Sequence, residues 1–293
     1  MLLIAGGELD PNVESLAGRM KERGIEGVEV RVGPNRHPCV TWDMEADTLR
    51  VDGEELRPTS AFIRYDVFAN MADPRQATSY RAQAWHTTLQ GWALAHDVRV
   101  MNRDYLGQTN KPFMLRLARE CGLPIPRTLI TNDLERLDRL AEGEALIAKP
   151  VPGGGYTQEL TTLLAGTPRK EGKAAAPAIV QQKLVQPEVR LYGIGTAFIP
   201  FAVKSQALDY RNASDTSVEH LPLESIDPRL VAGLGRLMEA LQMQYAAADF
   251  KTDPETGELR FLEVNSGPMF AAFDQASDGA VSHAILDWLT GEG

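Results

Sequence analysis

The chain has 293 residues, of which 43% are hydrophobic and 24% are charged, and its formal net charge at pH 7 is −10. This is the composition of a globular protein, long enough for one large core or for two to three subdomains. The acidic charge argues against a nucleic-acid partner, which would need a basic surface. No apolar run approaches the roughly 18 residues of a membrane span, so we expect no membrane partner.

The two cysteines, Cys39 and Cys121, stand alone, without the spacing of a metal site or a redox motif. Unpaired thiols are typical of a reducing compartment, and the N-terminus lacks the basic start of a signal peptide. We therefore expect a cytoplasmic protein.

Residues 1–105 alternate between apolar strands and helices, which predicts a small open α/β domain. Strands are predicted at 2–5, 28–32, 61–65 and 98–101, and helices at 11–24 and 77–95. Asp10 and Pro11 start the first helix, because Asp supplies an N-cap oxygen and Pro fits the first helical position.

Two further segments complete the predicted organisation. Residues 106–182 carry a helix at 110–120, strands at 128–131 and 145–149, and a polar stretch at 166–177, interpreted as a mobile loop. Residues 183–293 carry a hairpin at 189–194 and 198–205, a helix at 227–242, a second hairpin at 246–251 and 259–264, and a final helix at 278–290.

The second hairpin holds three oxygen-bearing side chains among apolar neighbours. Glu263 and Asn265 are two residues apart and so share a strand face, and the short turn brings Asp249 opposite Glu263. Hard divalent cations such as Mg²⁺ prefer such ligands, with Mn²⁺ as an alternative. The competing interpretation is a solvated strand face, but buried acids without a partner would be costly.

A glycine-rich loop follows Lys149 at the end of an apolar strand, with glycines at 153, 154 and 155. Glycines let backbone N–H groups approach phosphates, and the lysine adds a charge. The loop matches neither a Walker A nor a Rossmann motif, and a plain flexible turn remains an alternative.

Two more groups of residues suit a nucleotide and its phosphoryl chemistry. The strand end Gln181-Gln182-Lys183-Leu184 could pair its backbone with an adenine edge, and Glu188 could accept from ribose hydroxyls. Phosphoryl transfer also needs cations, for which we select Lys111, Arg190, Lys204 and Arg211. For each group the alternative is an ordinary structural position.

Taken in order, these segments resemble the ATP-grasp superfamily and, within it, the RimK-like ligases, especially those that cross-link microviridin-type precursor peptides (graspetides). The resemblance covers about residues 60–293. It rests on these motifs: Phe62-Ile-Arg64-Tyr65, Asn110-Lys111, Gly122-Leu-Pro-Ile-Pro126 through Asn132, Lys149-Pro150 with the glycine loop, Gln181 through Arg190, Lys204-Ser-Gln206 with Asp209-Tyr-Arg211, and Phe261-Leu-Glu263-Val-Asn265.

The resemblance implies an α/β (α+β) ATP-grasp fold of three subdomains, with ATP between the second and third. Their boundaries would be 1–105, 106–182 and 183–293. It implies the following roles: phosphate binding by Lys111, Lys149 and Gly153, Gly154 and Gly155; an adenine slot of Gln181, Gln182, Lys183 and Leu184; ribose binding by Glu188; contacts to phosphates and acyl phosphate by Arg190, Lys204 and Arg211; and Mg²⁺ binding by Asp249, Glu263 and Asn265.

The implied reaction activates a carboxylate as an acyl phosphate, which an amine or hydroxyl then attacks. The segment after Asn265 departs from the peptide ligases, which usually continue with Pro and an aromatic stretch, whereas this chain has Ser266-Gly267-Pro268. A precursor peptide is the favoured partner. The alternatives are a free amino-acid or dipeptide ligase acting on a small carboxylate, and a non-catalytic ATP-binding protein. A homodimer is left open.

Overall fold

The computed structural model describes residues 1–105, 107, 110–152, 157–205 and 217–292. The predicted phosphate loop, Gly153–Gly155, and the predicted cation Arg211 lie outside these residues. Within them the strands form one parallel sheet and three antiparallel sheets, combined with helices. This agrees with the predicted α/β class. In the described ranges, no helix combines the length and apolar character needed to cross a membrane.

The N-terminal part is a parallel sheet in the order β2-β1-β6-β7, the N-terminal sheet, with helices on both faces. Leu3 and Ala5 pack toward Trp92, whereas Leu2 and Ile4 pack toward the first helix, as expected for a parallel sheet buried on both faces. The elements are β1 (Leu2–Gly7), α1 (Pro11–Glu22), β2 (Gly27–Val32), β3 (Val40–Asp43), β4 (Thr48–Val51), β5 (Glu54–Leu56), β6 (Ser60–Ile63), α2 (Val67–Ala72), α3 (Gln76–Ala95) and β7 (Arg99–Val100).

Strands β3, β4 and β5 form a small antiparallel sheet that the sequence analysis missed. They are short and carry acidic residues, so their alternation is weak. The signal that could have found them is Asp52-Gly53, with φ values of 51° and 86°, because a two-residue Asp-Gly loop favours a tight hairpin turn.

The central part contains an antiparallel sheet in the order β10-β9-β11-β8, the central sheet. Its elements are α4 (Lys111–Glu120), β8 (Thr128–Asp133), α5 (Leu134–Ala141), β9 (Leu146–Pro150), β10 (Gln158–Glu159), α6 (Leu160–Gly166) and β11 (Lys173–Gln182). The predicted mobile loop at 166–177 is wrong in its second half, because β11 begins at Lys173. Lys170 and Lys173 exchange backbone hydrogen bonds of 3.0 Å around a tight turn. The alanine-rich start of β11 carries little strand signal, and pairing with β8 defines it.

The C-terminal part is built on an antiparallel sheet in the order β14-β13-β12-β15-β16, the C-terminal sheet. Its elements are β12 (Val185–Ile194), β13 (Ala197–Lys204), β14 (Ser217–His220), a 3₁₀ turn (Leu223–Ser225), α7 (Pro228–Ala240), β15 (Tyr245–Thr252), β16 (Leu259–Asn265), α8 (Ala271–Ala276) and α9 (Ala280–Thr290). Both predicted hairpins are present.

The two faces of the C-terminal sheet pack against different partners. On one face, Leu191 and Ala248 pack with Leu234 of α7 and with residues of α4. On the other, Tyr192 and Ala247 join a core that includes α1, α8 and α9. The second face therefore ties the C-terminal sheet to the N-terminal sheet. The exact subdomain boundaries stay a prediction.

Candidate nucleotide and metal site

The hairpin β15–β16 carries the three predicted metal ligands, and a β-bulge decides where they point. Asp249 lies directly opposite Glu263, but the next residue, Phe250, lies opposite Phe261, so β16 has one extra residue at Leu262. In a regular strand Phe261 and Glu263 would share a face. The bulge lets Phe261 pack in the core beside α7, while Glu263 faces Asp249.

The three side chains lie on the same face of the C-terminal sheet, here called the carboxylate face. Asn265 Nδ2 is 3.4 Å from Asp249 Oδ2, and rotation of the amide would bring its oxygen to the same place. Among the described residues, no group of three or more His, Cys, Asp or Glu could hold a metal. A metal site here therefore depends on Asn265 as well as the two carboxylates. This donor set suits Mg²⁺.

Two cations lie against these carboxylates. Arg190 Nη1 is 3.1 Å from Asp249 Oδ1, and the two side chains are 7% and 8% exposed. Lys111, the first residue of α4, places its Nζ 3.7 Å from Glu263 Oε2. A buried carboxylate is costly unless it is paired, and Arg190 supplies the partner of Asp249. The carboxylate face thus combines metal-type ligands with cations that could face phosphate oxygens.

Aromatic rings surround the Arg190 guanidinium as well. Its central carbon lies 5.5 Å from the ring centroid of Tyr192 and 5.3 Å from that of Phe273. Cation–π contacts at these distances stabilise a desolvated guanidinium and fix its plane. Because Asp249 and two rings hold it, Arg190 is presented in one orientation.

The predicted nucleotide residues lie at the junction of the central and C-terminal sheets. Lys149 is half-buried near the end of β9, opposite Ile179 of β11. Lys183 Nζ lies 2.6 Å from Glu159 Oε1. Gln182 Nε2 donates to Asp253 Oδ1 at 2.9 Å, which joins β11 to the turn of the metal hairpin. The roles of these residues toward ATP stay predictions.

Two residues of the predicted adenine slot, Gln181 and Leu184, are buried. The side chain of Gln181 is 1% exposed and donates to Thr128 Oγ1 at 2.9 Å within the central sheet. Leu184 is 7% exposed. Only the backbone of Gln181 is therefore suited to the predicted adenine contact.

Glu188 has a partner that the sequence analysis missed. Its Oε2 lies 3.0 Å from Lys251 Nζ, and both side chains are largely buried. The two residues are directly opposite each other on β12 and β15, so the pair follows from strand register. Register alone could have revealed it, once β12 and β15 were known to be neighbours.

The structure does not bring Lys204 to the carboxylate face. Phe201 lies opposite Arg190, so Phe201 and Val203 share the face of Arg190 and Lys204 belongs to the other face. Its side chain is 65% exposed and lies 2.7 Å from Glu219. The sequence analysis considered β13 without its register against β12, and the role of Lys204 toward ATP stays a prediction.

A buried polar network behind the site was also missed. Arg64, which follows β6, donates from Nε to Asp10 Oδ2 at 2.8 Å and from Nη1 to the carbonyl oxygens of Gly267 and Pro268 at 3.2 and 3.1 Å. Asn12 Oδ1 accepts from the Phe270 amide at 2.6 Å. This network holds the segment after Asn265 against the N-terminal sheet.

Asn102 reinforces the same segment. Its side chain donates to the carbonyl oxygens of Tyr245 and Ser266, both at 2.7 Å, and accepts from the amide of Gln244 at 2.7 Å. Asn102 has a φ of 57°, which asparagine tolerates better than most residues. The start of β15 and the end of β16 are thereby tied to one side chain.

No protein-family model matches this sequence, and a search among curated proteins finds no match. Solved structures do match. The ATP-grasp ligase PsnB, complexed with a phosphomimetic variant of its minimal precursor, Mg and ADP, is 26% identical with a TM-score of 0.74, over 99% of this chain and 98% of that chain. The chain belongs to the ATP-grasp superfamily. Among its described residues, this ATP-grasp chain places the candidate metal ligands on one sheet face, with the cations Arg190 and Lys111 beside them.

Two further ATP-grasp ligases share the fold. The macrocyclase MdnC from Microcystis aeruginosa MRC, bound with precursor peptide MdnA, is 17% identical with a TM-score of 0.71 over 100% of both chains. A RiPP-associated ligase from Chryseobacterium gregarium, in complex with ADP and a leader and core peptide, is 20% identical with a TM-score of 0.71, over 100% of this chain and 97% of that chain. The resemblance predicted from the motifs agrees with these structures.

Proposed function

We propose that the chain is an ATP-dependent, ADP-forming ligase that joins side chains of a ribosomally made precursor peptide. The observation that carries the proposal is the carboxylate face, where Asp249, Glu263 and Asn265 converge beside Arg190 and Lys111. The full-length similarity to ligases solved with precursor peptides supports the peptide as substrate.

Asp249, Glu263 and Asn265 would hold Mg²⁺, which when bound neutralises charge on phosphate oxygens. Lys111 and Lys149 would hold the phosphates of ATP. Gly153–Gly155 and Arg211 would complete the phosphate site, as the family resemblance implies.

Arg190 would stabilise the transferring phosphoryl group. In the structure it is paired with Asp249, so each group already faces a partner of the opposite charge. When nucleotide binds, an N–H group of the Arg190 guanidinium would donate to a phosphate oxygen. The Asp249 carboxylate would then bind the metal. Both exchanges replace one charged partner by another, which limits their cost in desolvation.

The acyl phosphate formed on the peptide carboxylate would then be attacked by a nucleophile from the same peptide, with loss of phosphate. Water must be kept away from this intermediate, because hydrolysis competes with ligation. We place the reaction in the cytoplasm, because Cys39 is an exposed free thiol and Cys121 a buried one.

The test is incubation of the purified chain with ATP, Mg²⁺ and a candidate precursor peptide encoded beside it. We expect ADP and a peptide lighter by one water for each bond formed. Release of AMP and pyrophosphate would refute the acyl-phosphate mechanism. A peptide heavier by one amino acid would instead identify a free amino-acid ligase.

A further inference from the structure

A cavity of about 270 Å³ lies between the N-terminal sheet and the segment that follows β16; we call it the His86 cavity. Arg64, Tyr65, His86 and Gln90 line it from the N-terminal side. Its volume corresponds to several water molecules, since each occupies about 30 Å³ in the liquid. A small side chain therefore fits inside.

The His86 cavity borders the carboxylate face. Ser266 and Gly267 form part of its wall, and Ser266 is bonded directly to Asn265. Consecutive Cα atoms are about 3.8 Å apart, so the cavity wall begins one residue from a candidate metal ligand. Asn102 binds the Ser266 carbonyl and Arg64 binds that of Gly267, so this wall is held in place.

The described residues of the wall carry no negative charge. Among its described lining residues there is no Asp or Glu, and the one permanent cation, Arg64, is paired with Asp10 behind the wall. A lysine ammonium entering this space would lose its hydration without gaining a carboxylate. A hydroxyl needs only a hydrogen bond, which the polar wall can supply.

His86 is placed to act on such a hydroxyl. Its ring makes a T-shaped contact with Tyr65, with centroids 5.9 Å apart, and its nitrogens form no hydrogen bond with the described part of the chain. Burial lowers the pKa of His86 below its ordinary 6.5, so the imidazole is neutral at pH 7. A neutral imidazole with a free nitrogen can accept a proton.

We propose that the His86 cavity receives the nucleophile of the ligation, an uncharged side-chain hydroxyl of the peptide, and that His86 accepts its proton. This inference rests on the proposed function. The hydroxyl oxygen forms a bond to the acyl carbon, and the bond from that carbon to the phosphate oxygen breaks. Phosphate leaves with the electron pair, the proton moves to an imidazole nitrogen, and the product is an ester.

The first test compares His86→Asn with a matched control, His37→Asn, whose side chain is exposed in a loop. Two signals are read from each enzyme with ATP, Mg²⁺ and the precursor peptide: water loss by mass spectrometry, and hydroxamate formed when hydroxylamine traps the acyl phosphate. We expect His86→Asn to lower the rate of water loss about 100-fold or more, with hydroxamate formation retained. His37→Asn should match the unaltered chain in both. An unchanged rate of water loss in His86→Asn would overturn the proposal.

The second test concerns the charge of the nucleophile. Peptides whose Ser and Thr residues are replaced by Lys should yield hydroxamate but no water loss, whereas Gln90→Glu, which adds a carboxylate to the wall, should gain activity toward them. Equal water loss from the Lys and the hydroxyl peptides in the unaltered chain would overturn the hydroxyl assignment. Absence of both hydroxamate and ADP for every peptide would refute the proposed function itself, and the inference with it.

Discussion

Replacing Arg64 by Ala should destabilise the protein strongly, because its guanidinium joins two parts of the fold through buried contacts. The side chain is 7% exposed and its partner Asp10 is 0% exposed. It makes three hydrogen bonds, one to the Asp10 carboxylate and two to the Gly267 and Pro268 carbonyl oxygens. In the variant, Asp10 would keep the hydrogen bonds that it accepts from the Asn12 backbone and side chain. The carboxylate would therefore lose its positively charged partner but keep two hydrogen-bond donors.

The magnitude follows from these contacts. Hydrogen bonds to charged groups contribute about 1.5–3 kcal/mol each, so three give an upper range of about 4–9 kcal/mol. The adjoining His86 cavity lets water reach the vacated space, which reduces the cost. Removing one partner of a buried ion pair typically costs about 3–5 kcal/mol, and we expect Arg64→Ala to fall in that range. Arg64→Lys should cost less, because it keeps the charge but loses the forked geometry.

Urea unfolding followed by circular dichroism measures this loss. The matched control is Arg57→Ala, an arginine whose side chain is 85% exposed and paired with Glu55. Surface pairs contribute about 0–1 kcal/mol, so the control should unfold near the unaltered midpoint. If Arg64→Ala also unfolds within about 1 kcal/mol of the unaltered chain, the network does not stabilise the fold as argued.

Three further predictions concern the site and its surroundings. Glu263→Gln should remove most Mg²⁺-dependent ADP release and leave the melting temperature nearly unchanged; full activity would contradict the metal assignment. Lys149→Ala should weaken ATP binding in calorimetric titrations far more than Lys173→Ala, whose side chain is exposed at the start of β11, and equal affinities would reject the phosphate role. Burial acts to raise the pKa of Asp253, but hydrogen bonds from a backbone amide and from Arg260 outweigh it and lower that pKa below 3.8. The ionised Asp253 carboxylate therefore stabilises the fold above pH 3.8, and this stabilisation is lost as the pH falls below that value. Asp253→Asn should lower the urea midpoint at pH 7, and the difference between the variant and the unaltered chain should be smaller at pH 3.

Much of the fold was predictable because local signals and packing agree. Asp10 caps the helix that begins at Pro11, and its side chain accepts from the Asn12 amide at 2.8 Å, as the capping pattern predicted. The pairing of Asp249 with Glu263 followed from the length of the turn between the strands. In both places a short sequence interval fixes the geometry.

Features that depend on distant contacts were not predictable. The Arg64 network joins residues about 200 positions apart, with separations of 203 and 204 for the two carbonyl bonds. The face of Lys204 depends on pairing with β12, and the Glu188–Lys251 pair depends on which strand lies beside which. Single-sequence patterns specify alternation along a strand but not its neighbours.

The bulge at Leu262 places two residues that are two positions apart, Phe261 and Glu263, on opposite faces of the metal hairpin. Before the bulge, Phe261 faces the helical core; after it, Glu263 faces Asp249. Deleting Leu262 would make Phe261 and Glu263 adjacent, and adjacent residues of a regular strand face opposite sides, so the shortened hairpin should keep both side chains on their present faces. Regular pairing of the full-length strand, without the bulge, would instead put Phe261 and Glu263 on one face, and either the aromatic ring would leave the core or the carboxylate would leave Asp249. A graft of this hairpin into another scaffold must therefore either keep Leu262 together with the bulge or remove both.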